Sequence, residues 1–309
     1  MKIDVVIPNY NGNVLLRENL PKVIASCEQY NSSIIIVDDG SDKEEFDNVA
    51  KIINELHSKN ILLVRNEKNL GFSSTVNKGV AQSNADFVVL LNTDVIPENN
   101  FLEAALKDLE MDKNLFGVGF MDKSIEDDKT VLRGRGLGAF KRGFVVHNRG
   151  EVNKEDTFWI SGGSSIVRRD IFKKLSGFDT IYDPFYWKDI DLSYRARKSG
   201  FTIRFEPKSA VVHKHSEGAI RKNFTDFKVK KIAYRNQLIF VWKNITDFSL
   251  LISHILWLPF HVITAALRFD RAFIVGFLLA VIKVPDIIIK RSEQRKLYKV
   301  SDSDLLKDQ

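Results

Sequence analysis

Cysteine is nearly absent. Cys27 is the single one in 309 residues, which excludes an intramolecular disulfide framework or a cysteine-rich zinc module and fits a reducing compartment. Internal repeats and low-complexity tracts are also missing, so solenoids and propellers are excluded. Met1 to Val6 runs straight into an Asp-containing strand pattern, so no secretory leader is expected. No Ser-His-Asp signature is present. What remains is ordinary in bulk: 44% hydrophobic and 28% charged residues, with 46 Lys+Arg against 40 Asp+Glu for a net charge of +6. This composition belongs to a globular chain and not to a coiled coil, collagen or a disordered segment. At about 150 residues per domain it makes one large domain or two small ones, long enough to bury a core unaided.

The first half alternates strands and helices. Ile3–Ile7, Ile34–Val37, Ile61–Val64 and Phe87–Leu91 are short apolar runs. Between them, Val14–Cys27, Glu44–Leu56 and a stretch from Gly71 through Ala81 carry helical spacing. Strands alternating with helices predict a doubly wound sheet, parallel in this half. Ligands of such sheets sit beyond the carboxyl ends of the strands. The polar residues collect there: Asn9 and Asn11, Asp38 and Asp39, Asn92 and Asp94. Further on, Gly134–Gly150 predicts a loop or hairpin, Arg169–Leu175 a helix, and Asp189–Lys198 a helix stopped by Gly200. Gly134-Arg135-Gly136-Leu137-Gly138 follows no apolar strand and is no dinucleotide fingerprint.

Beyond Ser216 the composition changes. Arg221–Arg235 holds six basic residues, and Phe248–Leu267 is twenty residues without Asp, Glu, Lys or Arg. Ala272–Ile282 is a second apolar run, in a segment (Arg268–Lys299) with eight basic and three acidic residues. Twenty apolar residues are long enough to span a bilayer. Ser253, His254, Pro259 and His261 interrupt this run, which favours helices lying in the interface on anionic lipid. A buried hairpin or an oligomer interface is the alternative.

Each chemical candidate has a bland reading. Asp39 can accept from a ring N–H of a pyrimidine base, or be the Asx residue of a turn. Asp94, after an apolar strand, can hold a divalent cation bridging two phosphates, or cap a helix starting near Pro97. His213, with His215 beyond it, can complete such a site with a distant Asp, or simply be solvated. Asp189 and Asp191 begin a helix, where a carboxylate can take the proton of an attacking hydroxyl or favour the macrodipole.

Taken in order, Pro8-Asn9-Tyr10-Asn11, Val37-Asp38-Asp39-Gly40-Ser41, Asn69-Leu70-Gly71-Phe72 with Asn77-Lys78-Gly79, and Leu91-Asn92-Thr93-Asp94 resemble family 2 glycosyltransferases. Ser161-Gly162-Gly163, Gly177-Phe178-Asp179, Lys188-Asp189-Ile190-Asp191-Leu192 and Val212-His213 continue the resemblance, which covers about residues 1–245. It is greatest to the rhamnosyltransferase-like members that build bacterial surface polysaccharides. Arg235-Asn236-Gln237-Leu238 to Trp242-Lys243-Asn244 looks like their boundary between catalytic domain and membrane-associated tail.

The resemblance implies a GT-A fold, an α/β Rossmann-like mixed sheet with a C-terminal helical membrane-associated extension. It divides the chain into a nucleotide-sugar half (1–98), an acceptor and catalytic half of the same domain (99–220), and a basic helical tail (221–309). It implies a nucleotide-diphosphate sugar donor, Mg²⁺ or Mn²⁺, and inversion at the anomeric carbon. By matching position, Pro8, Tyr10, Asn11, Asp39, Gly71, Phe72, Asn77, Asn92, Thr93 and Asp94 would bind the donor, with Asp39 on the base. Asp94 and His213 would hold the metal, and Trp159, Ser161, Gly162 and Trp187 would line the acceptor side. Asp189 would be the base, with Asp191 as fallback. Two residues depart from the family pattern. Asn92 replaces the first Asp of an Asp-x-Asp motif, and Lys188 replaces the usual Glu before the base, where a cation weakens it.

The leading expectation is transfer to a lipid-linked or cell-envelope glycan at the cytoplasmic membrane face, by a peripheral or monotopic enzyme. Transfer to a polyprenyl phosphate is a second reading, with Arg133, Arg135, Lys141 and Arg142 as its phosphate-binding residues. A degenerate membrane scaffold is a third. Nucleic acid is not an expected partner, since the strand ends are acidic; a homo-oligomer is left open.

Overall fold

Strands β1 (Ile3–Asn9), β2 (Ser33–Asp38) and β4 (Phe87–Leu91) are the apolar runs of the first half, and both their faces are buried. Their side chains alternate between two cores: Ile3, Val5 and Ile7 enter one and Val6 the other, as do Phe87, Val89 and Leu91 against Val88 and Leu90. A period of two with no polar face is what a strand covered by helices on both sides requires. Helices α1 (Asn13–Cys27) and α2 (Lys43–Glu55) cover the first core, and α3 (Phe72–Gln82) covers the second. The computed structural model describes residues 1–58, 60–126, 129–213 and 224–307.

Among the described residues the sheet has nine strands. Its order is β3 (Ile61–Arg65), β2, β1, β4, β10 (Ser164–Arg168), β6 (Leu115–Glu126), β11 (Thr202–His213) and β5 (Val95–Pro97), with β7 (Lys129–Arg133) paired to β6. The expected parallel order holds from β3 to β4. The sheet becomes mixed at β10, antiparallel to both β4 and β6, and at β5, antiparallel to β11. Helix α4 (Glu103–Met111) joins the first core, while α5 (Arg169–Lys174) and α6 (Lys188–Lys198) join the second.

The helix considered near Pro97 is a strand instead. Val95 and Ile96 are β-branched, and β5 is an edge strand, where a proline costs no ladder bond. Asp94 is therefore no helix cap. The register sets Val95 opposite His213, and β6 beside β11 sets Asp122 opposite Val211.

Gly134–Gly150 contains the expected hairpin, β8 (Gly136–Lys141) and β9 (Phe144–Arg149). Its turn rests on the C-terminal helices. His254 Nδ1 lies 2.6 Å from the Gly143 carbonyl, His261 Nε2 2.8 Å from the Arg142 carbonyl, and Phe144 stacks on both imidazoles.

Those helices are α7 (Asp226–Asn244), α8 (Phe248–Leu267), α9 (Arg271–Ile282), α10 (Val284–Arg295) and α11 (Asp302–Leu305). Helix α7 is built into the protein: Leu238, Ile239, Phe240 and Val241 share a third core with Ile190 and Tyr194 of α6 and Phe144 and Val145 of β9. Part of the basic run faces inward too. Arg235 donates to the Tyr182 and Asp183 carbonyls, and Lys290 pairs with Asp179 at 2.8 Å. Arg221, Lys222, Lys214 and His215 lie outside the described residues. Helix α8 differs: it is long and apolar enough to cross a membrane, and it is mostly unburied.

Candidate functional site

The site begins where β1 and β2 end. Asp38 is a brace, accepting from Asn9 Nδ2 at 3.1 Å and from the Ser41 N–H at 3.1 Å. Asp39 points its carboxylate at the Asn69–Gly71 turn. Oδ1 accepts from Asn66 Nδ2 and the Leu70 N–H, both at 2.8 Å, and Oδ2 from the Gly71 N–H at 2.9 Å. A carboxylate has about four acceptor positions, so Asp39 retains capacity for a ligand donor. Gly71 has φ +86°, a conformation that costs glycine nothing, and it sets Phe72 at the first turn of α3. Pro8 lies in β1. Tyr10 is exposed, and the Asn11 N–H bonds Ser41 Oγ at 2.9 Å. Pro8 at the end of β1, Tyr10, Asn11, Asp39 and Gly71 in the loops, and Phe72 at the start of α3 thus lie on adjoining segments at the strand ends. Asn77 does not join them. Its amide is spent on Phe178, donating to the carbonyl at 2.8 Å and accepting from the N–H at 2.9 Å.

At the end of β4, the Asn92 N–H bonds the Gly163 carbonyl at 3.0 Å, and the Thr93 carbonyl accepts from Asn19 Nδ2 at 2.8 Å. Asp94 then meets His213, with Oδ2 3.2 Å from Nε2. The other ring nitrogen of His213 lies 2.8 Å from Asp122 Oδ2, and Asp122 Oδ1 accepts from Ser124 Oγ at 2.8 Å. Burial by itself would lower the His213 pKa, but hydrogen bonds and charge from Asp122 and Asp94 outweigh it and push it up to about 9. Asp122 was not among the candidates from sequence. Its signal was a carboxylate closing the apolar run Phe116–Met121.

Among the described residues no three His, Cys, Asp or Glu converge as a complete metal site. The Asp94–His213 separation nevertheless suits two neighbouring ligands of one octahedral cation. Mg²⁺ and its like commonly take one or two protein carboxylates and complete their shell with phosphate and water. The pair would fit a metal that arrives with a diphosphate and displaces the proton from His213 Nε2, and Asp122 would orient the imidazole from behind.

The segments expected to line the acceptor side meet at Asp189. Its Oδ1 accepts from the Gly162 N–H at 2.8 Å, and its Oδ2 lies 3.3 Å from Lys188 Nζ. A Cβ on Gly162 would stand 2.5 Å from that Oδ1, so only glycine permits the approach. Tyr186 (φ +64°) and Trp187 (φ +70°) are both left-handed, a conformation that costs bulky residues about 1–3 kcal/mol each. Asn236 holds them, its Nδ2 lying 2.9 Å from the Phe185 carbonyl and 3.1 Å from that of Tyr186. This double turn delivers Lys188 and Asp189 to the start of α6.

Three expectations are corrected on this side. Asp191 is fully buried and surrounded by donors: Tyr182 Oη at 2.9 Å, Arg195 Nε and Lys243 Nζ at 2.7 Å, and Asn244 Nδ2 at 2.8 Å. It ties α6 to α7, so the fallback base has no access to an acceptor. Trp187 is buried against Phe240 and His147 and lines no surface. Arg135, considered for a lipid phosphate, is buried and bound to Asp156 at 2.5 Å. Half-buried Trp159 packs its ring against Gly136, and Ser161 Oγ accepts from the Gly163 N–H at 3.2 Å, beside Gly162.

Comparison with known proteins agrees with this architecture. The chain is 28% identical over 217 residues to the probable glycosyltransferase YdaM of Bacillus subtilis (strain 168), covering 67% of this chain and 49% of that protein. It is 24% identical over 212 residues to the poly-beta-1,6-N-acetyl-D-glucosamine synthase of Staphylococcus aureus (strain COL), covering 66% and 48%. The chain thus spans about half the length of the curated relatives it matches. The crystal structure of GalNAc-T7 with UDP, GalNAc and Mn²⁺ superposes with a TM-score of 0.65 at 17% identity, over 79% of this chain and 48% of that one, which shows the GT-A fold. The profile of Glycosyl transferase family 2 matches residues 4–176. Since that match takes in the strands from β1 to β10 with the turns and carboxylates at their ends, and more than half of the chain, the protein belongs to glycosyl transferase family 2.

Proposed function

We propose that the protein is an inverting glycosyltransferase that moves a sugar from a dTDP- or UDP-sugar to a hydroxyl of a lipid-linked or cell-envelope glycan. Rhamnose is the first sugar to try. The observation that carries the reading is the placement of Asp39 and the Asp94–His213 pair at strand ends of one sheet, with Asp189 in the first turn of α6 and held by the backbone N–H of Gly162, whose neighbour Gly163 accepts from the Asn92 N–H at the end of β4. Asp39 would take the base, and Asp94 and His213 would hold Mg²⁺ or Mn²⁺. The cation would neutralise charge on the departing nucleoside diphosphate. Asp189 would take the proton of the acceptor hydroxyl as its oxygen attacks the anomeric carbon and the bond to the diphosphate breaks. Direct displacement on the opposite face inverts the centre and needs one base, so no covalent nucleophile is required.

We place the enzyme on the cytoplasmic membrane face through α8 and its neighbours. Ile255, Leu256, Phe260, Ile263 and Leu267 are exposed along one stripe of α8, with Phe269 beyond its end. Lys141 and Arg142 are exposed at the hairpin turn that touches this helix. Apolar side chains bordered by basic ones suit an anionic leaflet. The same two cations are what favours the second reading, transfer to a polyprenyl phosphate.

The test is thermal stabilisation by UDP, dTDP, GDP and CMP, with and without Mn²⁺. A ligand at a hundred times its Kd stabilises by about 2.7 kcal/mol. Stabilisation by one pyrimidine diphosphate is expected, enhanced by Mn²⁺ in the wild type and not in Asp94→Ala. Asp189→Asn should keep that binding and lose transfer by about 10²–10⁴-fold. Silence across the panel from folded protein would instead leave a membrane scaffold.

A further inference from the structure

Asp189 is restrained at both oxygens. The Gly162 N–H occupies Oδ1, and the Lys188 ammonium stands 3.3 Å from Oδ2. The Lys188 side chain is 13% exposed, and its ammonium lies 4.2 Å from the centre of the Phe72 ring. It also lies within electrostatic reach of Asp183, which accepts from Ser73 Oγ at 2.7 Å. Phe72 and Ser73 open α3 on the donor side, whereas Lys188 and Asp189 open α6 on the acceptor side. One flexible cation therefore bridges the two halves of the site.

This pairing does little for the fold, because α6 is tied down by the buried contacts of Asp191 and not by Lys188. It does stand in the way of a base, since the ammonium occupies the Oδ2 side that an acceptor hydroxyl would have to approach while the Gly162 N–H occupies Oδ1. A lysine is a compact charge with three donors on a mobile stem, so it follows the stronger anion. Asn92 also leaves the diphosphate side with one acidic group fewer than an Asp-x-Asp motif would have.

We propose that Lys188 is a displaceable counter-ion and forms an anion subsite. In the substrate complex its ammonium passes from Asp189 to a phosphate oxygen and leaves Oδ2 free for the acceptor hydroxyl. The proposal rests on the glycosyltransferase reading above. The phosphate has two sources, the diphosphate of the donor or a phosphate on a lipid acceptor.

The experiment compares wild type, Lys188→Met and Lys188→Arg by calorimetry. The donor arm titrates the nucleoside diphosphate that stabilises the wild type, with its parent nucleoside as control. The acceptor arm titrates farnesyl phosphate, with farnesol as control. Lys188→Met is expected to weaken one of the two phosphates by about tenfold, to leave that phosphate's control unchanged, and to be rescued by Lys188→Arg. Loss in the donor arm assigns the subsite to the diphosphate, and loss in the acceptor arm assigns it to the lipid. Wild-type affinity for both phosphates in Lys188→Met overturns the proposal, as does equal weakening of phosphate and control. A wild type that binds no nucleoside diphosphate overturns the parent reading and this one with it.

Discussion

Lys243→Met should destabilise the protein through a cluster that sits directly behind the site. The Lys243 ammonium is fully buried, 2.6 Å from Asp179 Oδ2 and 2.7 Å from Asp191 Oδ1. Removing one partner of a buried ion pair costs about 3–5 kcal/mol, because the remaining charge is left uncompensated. Here each carboxylate keeps a second cation, Lys290 for Asp179 and Arg195 for Asp191, so the lower end applies. At about 2 °C per kcal/mol for a large domain, about 3 kcal/mol lowers Tm by about 6 °C. The loss carries a pH signature. Burial by itself would raise the Asp179 pKa, but Lys243 and Lys290 outweigh it and hold this carboxyl well below the usual range. A depressed carboxyl stabilises the fold above its unfolded pKa, and that stability is lost as pH falls toward the folded value. With Lys243 gone the depression is smaller. The deficit should be full at neutral pH and narrow below about pH 4. Scanning calorimetry of both proteins from pH 7 to pH 3 measures this. A deficit that stayed constant with pH would mean that Lys243 acts by packing and not by charge.

Three further outcomes are expected. Gly162→Ala drives a methyl into Asp189 Oδ1, so transfer should fall at least tenfold with nucleotide affinity unchanged; weakened nucleotide binding would show that the segment serves the donor instead. Asn236→Leu removes the amide that holds the left-handed Tyr186–Trp187 turn, and unfolding in urea should show a loss of about 1–3 kcal/mol. Leu256→Glu with Phe260→Glu places two charges on the exposed stripe of α8. Co-sedimentation with anionic vesicles should drop sharply while Tm stays within about 1 °C, as expected of surface substitutions; unchanged sedimentation would remove α8 from the membrane.

Strands β1, β2 and β4 were legible in the sequence because they are buried on both faces, so unbroken runs such as Phe87–Leu91 stand out and the polar residues ending them are conspicuous. The strands after β4 were harder to read. β5 is three residues long, and nothing local distinguishes it from a loop; only its pairing with β11 brings Asp94 to His213. Asp122 lies more than ninety positions before His213 and meets it only through the parallel pairing of β6 and β11. Helix α7 misleads in the opposite direction. Asn236, Lys243 and Asn244 have the composition of a solvated face, yet all three are fully buried, because they satisfy backbone carbonyls and carboxylates that α6 and its preceding turn leave in the interior.

The hairpin β8–β9 has a geometric consequence. Its turn is bonded to α8 through Arg142 and Gly143, and its open end is bonded to the strand-like segment that leads to Gly162, where the Phe158 N–H meets the Gly136 carbonyl at 2.8 Å. Between these anchors lie six residues per strand, five steps of about 3.3 Å, or about 17 Å. The hairpin therefore fixes the spacing between α8 and the segment that leads to Gly162. Adding two residues to each strand would lengthen that spacing by about 7 Å, and adding one to each by about 3.3 Å.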